Sequence, residues 1–232
     1  MKPQSQPWSF YQLHFDPTAM DEYLSDAQQD KDVAKDLKEW NSLVSSAFWE
    51  VIGYIEISIR NLLARQLNRH KSGQGFAWAT QPESGLFSSD NRMVSSITEA
   101  HRRLLNSNIE LVPNRIIEEL TFGFWCRLLT KQYLFLWPDF QRAFIGLESH
   151  NQNDVGRLMN EIRDLRNRIG HHHRIYNLDL QRKYALIMLL AEYIDPEFGT
   201  WLRSKSRVDE ILALRPKPTQ SQQNPQPLPP KP

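Results

Sequence analysis

Apolar residues in this chain recur at intervals of three and four, and no stretch alternates apolar with polar residues for long. That pattern predicts an all-α protein. The clearest helix covers residues 40–69, where Trp40, Leu43, Val44, Ala47, Phe48, Val51, Ile55, Ile59 and Leu62 fall on one broad stripe. So wide an apolar face needs cover from other helices on most of its sides. Residues 20–39 before it are polar and acidic. Residues 70–92 after it lose the period and gather Gly, Ser and Pro, which predicts a long loop that is either functional or mobile. Further helices are expected at about 93–106, at 114–133 after Pro113, at 153–170 and at 179–194. A last one opens with Asp195 as cap and Pro196 in its first turn and runs to about 214. The expected organisation is a flexible N-terminal segment over 1–17, one helical domain over 18–214 and a disordered tail over 215–232. Half of the fourteen prolines lie in PKPTQSQQNPQPLPPKP at 216–232, and such a segment neither donates backbone hydrogen bonds freely nor buries apolar area. Its P-x-x-P spacing also fits a polyproline II ligand.

Composition narrows the class. A chain of 232 residues suits one sizeable core. Its single cysteine, Cys126, sits in an apolar run, which excludes a disulfide framework and reads as a small buried hydrophobe. The N-terminus MKPQSQPWSFYQLHFDP lacks the apolar core of a signal peptide. The best membrane candidate, YALIMLLAEYI at 184–194, falls short of the ~20 residues a span needs. The expectation is a cytoplasmic protein without a membrane partner.

Net charge is only +1, but it is unevenly spread. Residues 21–39 carry seven carboxylates against three lysines, whereas residues 157–183 carry seven Lys and Arg against three carboxylates. The basic half surrounds EIRDLRNRIGHHHRIYN at 161–177. Val155, Leu158, Ile162, Leu165 and Ile169 form the seam of that helix, and Arg166 falls around the axis between Val155 and Met159. An arginine so placed must meet a carboxylate, lie at a helix boundary or serve a phosphate, because an unpaired buried guanidinium is prohibitively costly. Glu56 is a possible internal partner. His171 follows Arg166 by five residues, about 140° around an ideal helix, so the two converge only with help. Either the helix ends at Gly170 and re-aims His171, or a second copy of the helix lies across a two-fold axis.

Imidazole, with an ordinary pKa near ~6.5, exchanges protons at neutral pH. Guanidinium matches phosphate oxygens and stabilises their extra charge in a transition state. Together they suffice for metal-free attack of an RNA 2′-hydroxyl on the adjacent phosphorus. A metal site at His171, His172 and His173 is disfavoured, since adjacent helical residues point about 100° apart and no Cys or carboxylate spacing completes a ligand set.

Arg166-Asn167-Arg168-Ile169-Gly170-His171, followed by His172, resembles the Arg-Asn-x-x-x-His motif of HEPN domains, specifically the Abi-like (abortive infection) branch. Residues 40–67, with Glu56, Arg60 and Asn61, resemble its long N-terminal helix. Residues 112–129, with Glu119, Leu120, Phe122, Gly123, Phe124 and Trp125, resemble its central segment. The likeness covers roughly 18–200 in the right order. It implies an HEPN-type helical bundle with additional helices, a homodimer with both motifs in one cleft, and a metal-independent endoribonuclease that needs no cofactor and serves as a toxin or in phage defence. Carried over, Arg166 would bind the scissile phosphate, His171 would act as general acid or base and Asn167 would orient the site. Glu56, Arg60 and His172 would support it. The basic surroundings add Arg163, Arg168 and Arg174 as RNA contacts. Gly123 is expected to permit close helix approach. His173 stands where close relatives carry glutamate, and where a variant motif carries the tyrosine modified by a partner nucleotidyltransferase, so that partner is not expected. An antitoxin or defence-system partner remains an open expectation. The rival readings are a non-catalytic RNA-binding or assembly module that keeps the motif, and an interaction protein working through its tail.

Overall fold

The structure, a computed structural model, describes residues 6–70 and 75–217. Among them are twelve α-helices and no strand, so the all-α expectation holds. The proline-rich stretch from 218 to 232 lies outside the described residues. The described residues divide into two compact units, one within 1–44 and 210–232 and the other within 45–209.

In the first unit, α1 (Trp8–His14) and α2 (Pro17–Asp26) precede the opening of α3 (Lys31–Arg69). Asp16 caps α2 by accepting the Ala19 N–H, with Pro17 in the first turn. Asp30 does the same for α3 through the Asp32 and Val33 N–H groups, so that helix begins well before residue 40. Residues 8–14, expected to be flexible, form a helix because Tyr11 buries its ring and donates its hydroxyl to Glu39. Burial, then Glu39, pushes the Tyr11 hydroxyl up to about 12. The Trp40 indole N–H donates to the Ile211 carbonyl at 2.7 Å, and the Arg215 guanidinium lies 5.5 Å from the Trp40 ring centroid.

In the second unit the rest of α3 supplies the buried stripe Phe48, Val51, Ile55, Ile59 and Leu63. By length and composition α3, rather than residues 184–194, is the helix that meets the requirement for a membrane span. Two further helices, α9 (Gln152–Gly170) and α10 (Leu180–Ile194), pack on each other. The seam predicted on α9 is buried along its length. Gly156 lets that helix close on the preceding segment, since a Cβ there would stand 2.8 Å from the Leu129 carbonyl oxygen. Gly123, expected to do such a job, does not: a Cβ there would meet only the Thr121 hydroxyl at 3.7 Å.

Two further expectations are corrected. The helix foreseen over 114–133 is broken into α6 (Pro113–Glu119) and α7 (Phe122–Leu128), followed by 3-10 turns, because Leu120 and Thr121 are extended. The final helix splits into α11 (Pro196–Lys205) and α12 (Val208–Ala213) at an extended Ser206. The segment read as a long loop contains α4 (Ala77–Thr80) and contributes to the core. Trp78 and Phe87 are fully buried there and pack edge-on and stacked with Phe124 and Trp125.

Asp90 locks this aromatic layer. One carboxylate oxygen accepts the Arg92 and Met93 N–H groups and caps α5 (Asn91–Asn106). The other accepts from Arg127 at 2.7 Å, Gln132 at 3.0 Å and the Tyr133 hydroxyl at 2.6 Å. Burial alone would raise its pKa, but the hydrogen bonds from Tyr133 and Arg127 outweigh it and hold the carboxyl below the usual range. A carboxyl depressed in the folded state contributes its stability above the unfolded value of about 4, and that contribution fades as pH falls through the folded value. Asp90→Ala is expected to cost about 3–5 kcal/mol, as for one partner removed from a buried pair. Urea unfolding between pH 7 and pH 3 should show wild-type stability falling more steeply on the acid side than that of Asp90→Asn.

Candidate functional site

The C-terminal end of α9 carries the motif. Val155, Leu158, Ile162, Leu165 and Ile169 face inward, which leaves Arg166 at the edge of the seam with its side chain 34% exposed. Its Nε donates to Glu56 Oε1 at 2.9 Å, and Glu56 is itself 27% exposed on α3. The guanidinium carbon lies 5.1 Å from the Trp49 ring centroid. Gly170 keeps the same space open, since a Cβ there would stand 3.7 Å from both Arg166 Nη1 and the Trp49 ring. One edge of the fork is thus bonded and one face covered. The two Nη groups make no hydrogen bond to any described residue.

The helix stops where the glycine and histidines foretold a stop. His171 N–H donates to the Asn167 carbonyl, His172 adopts a left-handed φ of 57° and donates to Ile169, and His173 donates to Arg168. This reversal folds the chain back so that the His171 and His173 rings stand 5.9 Å apart. All three imidazoles and the Asn167 side chain face solvent. Within one copy, no hydrogen bond joins Arg166 to His171 or Asn167.

The other expected residues divide. The Arg60 side chain makes neither a hydrogen bond nor an ion pair with Glu56 or Arg166; its Nε donates to Asn61 Oδ1 at 3.4 Å, and it lines a separate cavity. Arg168, expected to contact RNA, instead donates to the Arg174 carbonyl at 2.9 Å and has a buried Nε with no partner. It braces the turn after the helix. Arg163 folds onto its neighbour Asp164. Arg174 is half-buried and has partners of its own. Lys183 and Arg182 both engage Glu161, and the Lys183 hydrogen bond holds that carboxyl below its ordinary range. Much of the basic stretch therefore neutralises itself, while the Nη groups of Arg166 and the exposed Arg157 have no acceptor among the described residues.

Cys126 is buried with its thiol directed at the Met159 carbonyl, and burial pushes it up to about 12, so it carries no thiolate chemistry at neutral pH. Among the described residues, no group of three or more His, Cys, Asp or Glu is placed to hold a metal ion. Trp49 was missed in the sequence. Its signal was its position seven residues before Glu56, which puts both on one face of α3.

No family model, curated protein or solved structure matches this chain.

The Arg166–Glu56 pair is accessible enough to act as a surface ion pair. A double-mutant cycle with Arg166→Ala and Glu56→Ala, read by urea unfolding, should give a coupling of about 0.2–1 kcal/mol. A coupling near the ~3–5 kcal/mol of a buried pair would mean that the arginine serves folding alone.

Proposed function

We propose that this chain is an Abi-like HEPN endoribonuclease, acting in phage defence or as a toxin and cleaving RNA without a metal at a site built by two copies. The observation that carries the proposal is the state of Arg166. It is oriented by Glu56 through Nε and by the Trp49 ring, while both Nη groups remain available. One turn on, the helix end presents His171 to solvent. A guanidinium fixed in this way can hold the non-bridging oxygens of a phosphodiester and stabilise their developing charge.

A second copy answers the separation of Arg166 and His171 within one chain. Trp49, Gly53, Glu56, Ile57 and Arg60 share a face of α3, and Trp49 and Ile57 are exposed upon it. Tyr54 and Trp201 extend the exposed apolar surface. Gly53 has open space where a Cβ would stand, so nothing in the monomer requires a residue that costs about 1 kcal/mol in a helix interior. Close approach of a partner helix supplies the requirement. Two copies would bring two arginines and two imidazoles to one linkage. One imidazole takes the proton from the 2′-hydroxyl as that oxygen bonds to phosphorus. The P–O5′ bond breaks, the other imidazole protonates the departing oxygen, and a 2′,3′-cyclic phosphate and a 5′-hydroxyl remain.

The second reading, a non-catalytic RNA-binding module, is favoured by the absence of any Arg166–His171 contact within one copy. A cleavage assay separates the two. With EDTA present, wild-type protein should cut RNA to cyclic-phosphate ends. His171→Ala and Arg166→Ala should each lose about 10²-fold or more. Salt-sensitive binding without cleavage would favour the module. Gly53→Leu and Ile57→Asp should shift the protein from dimer to monomer in sedimentation velocity without lowering the melting temperature of the Leu variant. A dimer unchanged by both would remove the composite site.

A further inference from the structure

One turn beyond Glu56, the last turns of α3 carry Arg60, Arg65 and Arg69, which line a cavity of about 470 Å3. That volume falls within the ~300–1,000 Å3 range of ligand sites. Most other arginines of this unit have a carboxylate partner: Arg102 and Arg103 share Glu99, Arg115 has Glu118, Arg127 has Asp90 and Arg203 has Glu192. Among the described residues, no carboxylate lies within ion-pair distance of Arg60, Arg65 or Arg69. Three unneutralised cations around one concavity set up a positive potential that a bound anion relieves.

The walls say what kind of anion. Phe76 lines the cavity at a left-handed φ of 63°, unusual for an aromatic residue. Asn68 holds it there by accepting its N–H at 2.9 Å. The ring is half-exposed and not used by the buried aromatic layer. Amides of Asn61 and Asn114 add donors and acceptors, and Ala64 and Ile117 add an apolar floor. Glu118 reaches the same space, but Arg115 neutralises it at 3.2 Å. Guanidinium groups beside an aromatic face and amide groups match a phosphate, a base and a ribose of one nucleotide.

We propose that this cavity binds one nucleotide of a single-stranded RNA, with its phosphate on Arg65 and Arg69 and its base against Phe76. The identity of the strand as RNA rests on the function proposed above. Arg60 joins the two sites, since it lines the cavity and lies four residues from Glu56. A strand seated on α3 is led in this way toward Arg166.

The test uses the full chain and a fluorescein-labelled uridine 12-mer with 2′-O-methyl groups, which binds but has no attacking hydroxyl. Anisotropy between 50 and 200 mM KCl should show Arg65→Glu with Arg69→Glu weakening the complex at least tenfold. The slope of log affinity against log salt should fall by about 0.7, one phosphate contact on a single strand. Phe76→Ala should weaken binding about fivefold or more. Uridine monophosphate should compete only at concentrations far above those of the strand. The Arg65→Ala, Arg69→Ala pair provides the same test if charge reversal impairs folding, as judged by thermal melting. Unchanged affinity and slope in folded variants overturn the proposal, as does a monophosphate that binds as tightly as the strand. Cleavage of unmodified RNA, followed in parallel, separates this site from the nuclease reading. Binding that depends on Arg65 and Arg69 without any wild-type cleavage leaves the cavity standing and removes the nuclease. Cleavage and binding that both ignore these residues do the reverse.

Discussion

The candidate site of the second unit depends on where one guanidinium, Arg166, is placed. An arginine at the edge of an apolar seam is tolerable only if its charge is shared or wetted. Here both conditions hold. Glu56 accepts one N–H and the Trp49 ring covers one face, while a third of the side chain still meets water. An accessible ion pair contributes roughly 0.2–1 kcal/mol and an exposed cation–π contact about 0.5–1 kcal/mol. Those magnitudes orient a side chain without committing it to the core. The geometry depends on α3 and α9 holding their register. The buried α9 seam and the α3 stripe provide that register, while the close approach at Gly156 fixes α9 against the Leu129 segment.

The charged residues fall into two groups by what they touch. Asp90 gathers Arg127, Gln132 and Tyr133 and ties α5 and α7 to the aromatic layer. Arg168 holds the turn after α9 through the Arg174 carbonyl, and Glu161 collects Lys183 and Arg182. These groups serve the fold. Arg166, through its Nη groups, and the three arginines at the end of α3 retain donors with no acceptor among the described residues. Both lie on, or next to, the same helix. The available positive charge therefore includes the end of α3 as well as the α9 basic stretch that the sequence draws attention to.

How far the sequence could be read follows from what each signal encodes. The α9 seam, the stop at Gly170 and the Asp195 cap with Pro196 were legible because periodicity and capping are local. The partnership of Arg166 with Glu56 could be posed as one possibility, since both lie at the margins of apolar stripes. The break at Leu120 and Thr121 was not legible, because apolar residues run straight through it. The core role of Trp78 and Phe87 was hidden by the glycines and serines around them. Charge counting was silent on the Arg168 bond to the Arg174 carbonyl, because a backbone acceptor beyond the helix end leaves no mark in the sequence. Arg65 and Arg69 escaped notice, and Arg60 was read only as support for the motif, because three arginines spread over ten residues make no run. Only the helix brings them to one cavity.

The central claim is that the guanidinium of one copy works with the imidazole of another, and complementation between inactive proteins tests it most directly. Arg166→Ala and His171→Ala proteins, each purified and each inactive alone, are mixed, allowed to exchange subunits, and assayed on RNA with EDTA present. The account predicts that the mixture regains part of the wild-type cleavage, with cyclic-phosphate ends, because a mixed dimer sets the Arg166 of one copy against the His171 of the other and so restores one of the two imidazoles that the full site uses. A mixture that exchanges subunits and stays as inactive as its components would contradict it.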